Sequence, residues 1–205
     1  MDAHTPDGAI EFWFDFGSAY AYFAALGIDA LAERVGRPVL WRPYMLGTAF
    51  KATGARGLSS TPLKSDYALR DWQRLARLHG VPFSPPSGHP TVALAATRAF
   101  YHLEEEAPDL ARRFAAAMFA SYYRGEKDAG NAQDVADICA ALGADRAAVL
   151  AALDAPGLKA RTREIGEGAV ARGIFGSPFF VVDGEPFFGA DRMAMMEDWI
   201  RRGGW

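Results

Sequence analysis

The segment spanning residues 12–22 constrains the fold of this chain more than any other. Large apolar side chains alternate with a short polar break over residues 10–16, as in a buried strand, and a helical pattern runs through residues 19–35. The chain must therefore turn at Gly17 and Ser18, which brings one hydroxyl to the start of a helix. Unpaired backbone N–H groups at a helix N-terminus favour an anion beside that hydroxyl, so function is expected there. Serine is also a preferred N-cap, and a purely structural role for it stays open.

Strand patterns occur at both ends of the chain. Residues 38–44 form a second predicted strand, and strands return at 179–182 and 186–188, where Asp183-Gly184 between apolar runs is a strong hairpin signal. A last helix is predicted from Asp191 to Arg202. We therefore expect an α/β fold in which both ends of the chain share one sheet and a helical domain is inserted between them.

The periodicity between the two strand regions is helical almost throughout. Helices are predicted at 61–80, 91–106, 108–124, 132–142, 145–153 and 157–172. The first of these is expected to be capped by Thr61, with Pro62 in its first turn. Residues 54–60 and 84–89 are rich in glycine or proline and are the expected mobile borders of a substrate cleft.

Composition and charge narrow the classes of function. Half of the 205 residues are hydrophobic, yet no run is long enough to span a bilayer, so a soluble protein without a membrane partner is expected. Residues 1–8 lack both a basic start and an apolar stretch, which predicts a cytoplasmic protein. The net charge of −3, with basic residues dispersed, argues against a nucleic-acid partner. A small-molecule partner is expected instead.

Several familiar reactive sites are excluded by the residues present. Cys139 is the only cysteine, so the chain has no intramolecular disulfide and no Cys-x-x-Cys motif. Apolar residues at helical spacing around Cys139 predict a small buried hydrophobe. The four histidines show no metal-ligand spacing, and no Gly-x-Ser-x-Gly elbow surrounds Ser18. We therefore expect no metal site.

Residues 14–22, F-D-F-G-S-A-Y-A-Y, resemble the active-site segment F-D-F-x-S-P-Y-A-Y of the 2-hydroxychromene-2-carboxylate isomerases and the related kappa-class glutathione transferases. The match departs at Ala19, where these families usually have proline. The resemblance implies a thioredoxin-like domain formed by residues 1–48 plus 173–205, with 49–172 as the inserted helical domain. It also implies glutathione as cofactor, a homodimer, and Ser18 as the catalytic group that stabilises the glutathione thiolate.

A second match covers residues 176–192, which resemble the G-x-P-x-F and F/W-x-G-x-D-R motifs of the same families. The resemblance implies a cis peptide bond before Pro178, opposite Ser18. It further implies glutathione contacts from Ser177, Pro178, Phe188, Gly189, Ala190 and Asp191. Ala190 stands where asparagine is often seen. A trans turn at Pro178 and an N-cap role for Asp191 are the structural alternatives.

A third match covers residues 61–83, which resemble P-x-K-x-x-Y-x-x-x-D-x-x-R-x-A followed by G-I/V-P. The resemblance implies that Lys64 approaches the carboxylate of glutathione or of the substrate, although a solvated surface charge is the alternative. A looser alignment makes Lys51 a second cation near the substrate. Asp71 and Arg74 lie three residues apart on one predicted helix and are expected to pair with each other.

The first helix adds one aromatic candidate. Tyr20 is a candidate substrate contact. The alternative is that Tyr20 and Tyr22 are simply one buried and one surface aromatic of this helix, and Trp13 is predicted to lie in the core.

By resemblance, the function is a glutathione-dependent isomerase that interconverts 2-hydroxychromene-2-carboxylates and trans-o-hydroxybenzylidenepyruvates in aromatic hydrocarbon catabolism. Its substrate is an aromatic carboxylate. A kappa-like transferase or peroxidase, or a non-catalytic thioredoxin-fold module that binds peptides, stays an alternative.

Overall fold

A mixed four-stranded sheet joins the two ends of the chain in this computed structural model, which describes residues 7–205. Strand β1 (Ile10–Phe14) pairs in parallel with β2 (Val39–Pro43) and antiparallel with β3 (Phe179–Val182). Strand β4 (Glu185–Phe188) pairs antiparallel with β3, which gives the order β2-β1-β3-β4. The predicted strands and their shared sheet are confirmed. The prediction of a cytoplasmic protein was drawn from residues 1–8, most of which lie outside the described range.

Strand β1 is central and buried on both faces, and four of its five residues are apolar. Phe12 stacks on Phe180 of β3 at 5.4 Å and meets Trp41 of β2 edge-on at 5.1 Å, measured between ring centroids. The buried ring of Trp13 confirms the prediction that it is core. This packing fixes the end of β1, from which the chain turns toward Ser18.

The hairpin between β3 and β4 turns as its sequence predicts. Asp183 and Gly184 both have positive φ angles, 50° and 83°. A two-residue turn of this kind matches the right-handed twist of the two strands, and aspartate and glycine tolerate its conformation best.

Ten α-helices accompany the sheet within residues 7–205. They are α1 (Ala19–Ala25), α2 (Ile28–Val35), α3 (Leu46–Thr53), α4 (Lys64–His79), α5 (Leu94–Glu106), α6 (Pro108–Tyr123), α7 (Ala132–Ala141), α8 (Arg146–Asp154), α9 (Pro156–Ala171) and α10 (Met193–Arg202). Short 3-10 turns occupy Leu58–Ser60 and Ala190–Arg192.

The helix predicted over residues 19–35 is in fact two helices. Gly27 adopts φ −128° and separates α1 from α2, because glycine has little preference for helical geometry. Helix α3 is a further element that the sequence did not predict separately. Its first residue, Leu46, donates its backbone N–H to the Asp15 carboxylate at 2.8 Å, a cap supplied from a distant part of the chain.

Helix α4 begins later than predicted, at Lys64. The Thr61 hydroxyl donates to the Gly57 carbonyl at 2.9 Å and caps no helix. Pro62 therefore lies before the first turn. Leu63, the residue that precedes the helix, has a φ of 68°, which is rare for a non-glycine residue.

One apolar core runs from the sheet into the helical part of the chain. Phe14 of β1 packs against Phe100 of α5 at 6.3 Å and Phe119 of α6 at 5.3 Å. Cys139 of α7 belongs to the same core and is fully buried, as predicted. The domain boundaries after residues 48 and 172 stay a prediction, since the core crosses them.

Candidate active site

Ser18 and Ser177 lie together although 159 positions separate them in the sequence. The Ser18 hydroxyl donates to the backbone carbonyl of Ser177 at 2.8 Å and accepts the Ala21 N–H at 3.3 Å. Ser18 is thus the N-cap of α1 and at the same time a contact to the C-terminal part of the sheet. The Ser177–Pro178 bond is cis, as the resemblance implied.

Asp15 ties this pair of serines to a third segment. Its carboxylate accepts the N–H of Gly17 and the N–H of Leu46, both at 2.8 Å, and its own N–H donates to the Ser177 hydroxyl oxygen at 2.8 Å. Burial raises the pKa of the Asp15 carboxyl, while the two amide hydrogen bonds oppose that rise. Sequence reasoning missed this residue, although it is a charged residue directly after an apolar strand.

A loop at residues 89–91 covers another side of the turn at Gly17. A Cβ added to Gly17 would lie 3.1 Å from the Thr91 carbonyl oxygen and 3.6 Å from Pro90 Cβ. The Tyr122 hydroxyl accepts the Thr91 N–H at 3.1 Å and lies 3.0 Å from His89 Nδ1. Burial lowers the pKa of His89 to about 4, so its ring is neutral at physiological pH.

An aromatic wall extends from α1 to this loop. Trp72 of α4 stands edge-on to Tyr20 at 6.1 Å and to His89 at 5.3 Å. The Tyr20 hydroxyl donates to Asp71 at 2.9 Å, and burial together with this hydrogen bond raises the pKa of the phenol. Asp71 also pairs with Arg74, as predicted. Tyr20 therefore offers its ring, since its hydroxyl is already engaged. Trp72 and His89 were not predicted as site residues.

The two candidate lysines lie on the surface. Lys51 is in the last turn of α3, and Lys64 is the first residue of α4. Both side chains are exposed, and neither forms an ion pair with another residue in the range 7–205. The structure brings neither into hydrogen-bond contact with Ser18. Each ammonium group is available to an anion.

The segment after β4 forms a tight bend. Gly189 has a φ of 108°, a backbone conformation that other residues rarely adopt, so glycine is required here. Phe188 is half exposed and packs its ring against Gly176, where an added Cβ would be 2.1 Å from the ring. Phe188 therefore lies beside the residue that precedes Ser177.

The structural alternative for Asp191, an N-cap of the last helix, is wrong. Ala190, Asp191 and Arg192 form a 3-10 turn, and α10 begins only at Met193 without a side-chain cap. The Asp191 carboxylate folds back toward Gly189 and pairs with Arg192 at 3.4 Å, which places it away from the first amides of α10. It is largely exposed and can meet a cation from solvent.

Other chemistry finds no support in the part of the chain that the structure describes. No group of histidine, cysteine and acidic side chains there is arranged to hold a metal ion. Burial raises the pKa of Cys139 to about 12. Among the described helices, none combines the length and the apolar character needed to cross a membrane.

Comparison with known proteins assigns the fold to a family. Residues 9–201 match the model of the DSBA-like thioredoxin domain, and the chain belongs to that family. The predicted thioredoxin-like α/β fold with inserted helices is therefore confirmed.

Individual relatives agree with this assignment. The chain is 29% identical over 199 residues to a 2-hydroxychromene-2-carboxylate isomerase of Pseudomonas putida, covering 94% of each. It is 26% identical to the isomerase of the same name from Sphingobium xenophagum, over 93% of this chain and 97% of that protein. A solved 2-hydroxychromene-2-carboxylate isomerase superposes with a TM-score of 0.85 at 26% identity, covering 95% of each chain. The resemblance indicated by the sequence motifs is confirmed.

Proposed function

We propose that this chain is a glutathione-dependent isomerase that interconverts 2-hydroxychromene-2-carboxylate-type substrates and trans-o-hydroxybenzylidenepyruvates. The observation that carries the proposal is the Ser18 hydroxyl 2.8 Å from the Ser177 carbonyl. This pair joins a hydroxyl at a helix start to the backbone edge next to a cis proline. The names of the relatives supply the reaction class.

The residues present fit an extended peptide thiol with charged ends. The Ser177 carbonyl accepts only the Ser18 hydroxyl, and the Ser177 N–H forms no hydrogen bond within residues 7–205. Both groups can therefore pair with a peptide backbone. The Asp191 carboxylate suits the ammonium end of glutathione, and Lys64 suits a carboxylate end. Phe188 would offer an apolar surface beside the bound peptide.

Ser18 is the proposed catalytic residue. Once a peptide N–H pairs with the Ser177 carbonyl, the Ser18 hydroxyl can rotate away from that carbonyl and donate to a sulfur anion instead. A hydrogen bond to the charged form lowers the pKa of a thiol and increases its thiolate fraction at neutral pH. Bound glutathione would supply the thiolate nucleophile that adds reversibly to the conjugated substrate.

Other residues of the chain would hold the substrate. Lys51 is the proposed partner of its carboxylate. The rings of Tyr20, Trp72 and His89 offer an apolar wall for an aromatic group and exclude water from that side. A neutral His89 adds no charge there at physiological pH.

The proposed assembly is a homodimer in the cytoplasm, acting in the catabolism of aromatic compounds. Sedimentation of the purified protein tests the assembly. A monomer at micromolar concentration would contradict that part of the proposal without touching the reaction.

A spectrophotometric assay of hydroxychromene carboxylate interconversion tests the proposed reaction, run with and without added glutathione. Turnover that requires glutathione supports the isomerase. Glutathione binding without isomerisation, but with conjugation or peroxide reduction, would point to a transferase or peroxidase. Affinity for extended peptides without glutathione binding would point to a non-catalytic module. S-methylglutathione is the matched control, since it has no ionisable thiol.

A further inference from the structure

We propose that Asp15 is the positioning residue of this site: it holds the turn at Ser18, the start of α3 and Ser177 in one arrangement. By doing so it sets the affinity for glutathione and the ionisation of the bound thiol. The inference rests on the proposed glutathione site, and it gives a role to a residue to which the sequence motifs assigned none.

Asp15 joins three segments of the chain. The Asp15 carboxylate accepts the N–H groups of Gly17 and Leu46, 2 and 31 positions away, and the Asp15 backbone N–H donates to the Ser177 hydroxyl, 162 positions away. The Asp15 backbone carbonyl also accepts the Ser18 N–H at 2.9 Å. Gly17 directly precedes Ser18, so its position fixes that of the catalytic hydroxyl. Leu46 is the first residue of α3, the helix that carries Lys51. Asp15 therefore links candidate cofactor and substrate groups.

A carboxylate is the side chain that this arrangement requires. Both of its oxygens accept backbone N–H groups, and ionised aspartate only accepts hydrogen bonds. Asparagine offers one acceptor oxygen and one NH2 donor. In Asp15→Asn one backbone N–H would consequently face another donor, and either the turn at Gly17 or the start of α3 must move.

A second buried carboxylate, which lies within β1, provides the matched control. Glu11 is 5% exposed and Asp15 is 7% exposed, and they stand at opposite ends of β1. Glu11 pairs with Arg172 at 2.6 Å and accepts the indole N–H of Trp13 at 3.0 Å. None of these hydrogen bonds reaches Ser18 or Ser177, so Glu11→Gln measures the effect of disturbing β1 alone.

The test compares wild type, Asp15→Asn and Glu11→Gln by calorimetric titration with glutathione and by the ultraviolet absorbance of the bound thiolate, at a temperature where all three are folded. We expect Asp15→Asn to bind glutathione about tenfold more weakly, the effect of about one hydrogen bond. Its bound thiolate absorbance should fall as well. Glu11→Gln should stay within about twofold of wild type in affinity, although both variants lower the thermal midpoint.

Leu46→Pro provides a second route to the same conclusion. Proline is tolerated in the first turn of a helix and removes the N–H that Asp15 accepts, and Met45 already has the extended conformation that proline requires before it. This variant should weaken glutathione binding on its own. Combined with Asp15→Asn, it should restore part of the lost affinity, because the clash of two donors is removed. If Asp15→Asn does not fold, Leu46→Pro and the double variant carry the test.

The outcomes separate the two proposals. Equal affinity and equal thiolate absorbance in wild type and Asp15→Asn, or in wild type and Leu46→Pro, would overturn the role of Asp15 and leave the glutathione site intact. A wild-type protein that does not bind glutathione would overturn both.

Discussion

The Ser18 hydroxyl donates to the Ser177 carbonyl and also accepts the Ala21 N–H, so one oxygen belongs to two hydrogen bonds of different function. The bond to Ala21 caps α1 and is independent of any ligand. The bond to Ser177 links the first helix to the segment directly before β3. A change at Ser18 should therefore affect both stability and chemistry, and the two effects can be measured separately.

Replacing Ser177 by alanine should destabilise the protein more than it weakens cofactor binding. The change removes the acceptor of the buried Asp15 N–H, which costs about 1–3 kcal/mol in the free energy of unfolding. Glutathione affinity should fall by about threefold, less than in Asp15→Asn, because the Ser177 backbone groups proposed to bind it remain and the Asp15 carboxylate still holds Gly17 and Leu46. Urea unfolding and calorimetry measure the two quantities. Ser177→Thr keeps the hydroxyl and serves as control; an alanine variant as stable as wild type would contradict the role of this hydrogen bond.

The lowered pKa of His89 predicts a stability that falls in acid. The folded protein binds a proton at His89 only near pH 4, whereas the unfolded chain does so near 6.5, so protonation favours the unfolded state as the pH drops from about 6.5 to about 4. His89→Gln removes this contribution and can still pair with the Tyr122 hydroxyl. Wild type should lose more of its free energy of unfolding over this range than His89→Gln does. Parallel curves for the two proteins would refute the prediction.

The Cys139 thiol should be inert in the native protein. It is fully buried, and its pKa near 12 leaves almost no thiolate at neutral pH. Iodoacetamide labelling followed by mass spectrometry should show no modification of the native chain and complete modification in denaturant. Cys139→Ser should keep turnover within about twofold of wild type. Rapid labelling of native protein would mean that the core around α7 opens readily.

The two lysines should separate into cofactor and substrate roles. Lys64→Gln should raise the Kd for glutathione about three- to tenfold, which is the loss of one partly solvated charge contact. Lys51→Gln should leave that Kd unchanged and raise KM for the aromatic carboxylate. Titration calorimetry and steady-state kinetics distinguish them. Identical behaviour of the two variants would show that one of the assignments is misplaced.

Local features of the site could be predicted from the sequence, whereas contacts across the fold could not. The turn at Gly17 and Ser18 and the hairpin at Asp183 follow from patterns within a few residues. The cap of α3 comes from Asp15, 31 positions away, and no local pattern shows it. Thr61 and Asp191 both have cap chemistry, yet each side chain found another partner once the chain was folded. Tyr20 is similar, because Asp71 of α4 engages its hydroxyl.

The aromatic wall illustrates the same limit. Trp72 and His89 meet because α4 and the loop before α5 pack together, and their sequence neighbourhoods carry no common signal. Resemblance to a family predicted one long-range feature that periodicity could not. It implied the cis bond before Pro178 and its place opposite Ser18.

The pH titration of bound-thiolate absorbance in wild type, Ser18→Ala and Ser18→Thr tests the central claim most directly. If the Ser18 hydroxyl stabilises the glutathione thiolate, alanine forfeits a charge-assisted hydrogen bond worth about 1.5–3 kcal/mol, so the pKa of the bound thiol should rise by about 1 to 2. Turnover at neutral pH should fall about ten- to a hundredfold and recover in part at higher pH, while Ser18→Thr remains close to wild type. If Ser18 were only the cap of α1, alanine would cost about 1 kcal/mol of stability and leave the titration unchanged. Superimposable thiolate titrations for wild type and Ser18→Ala would contradict the account.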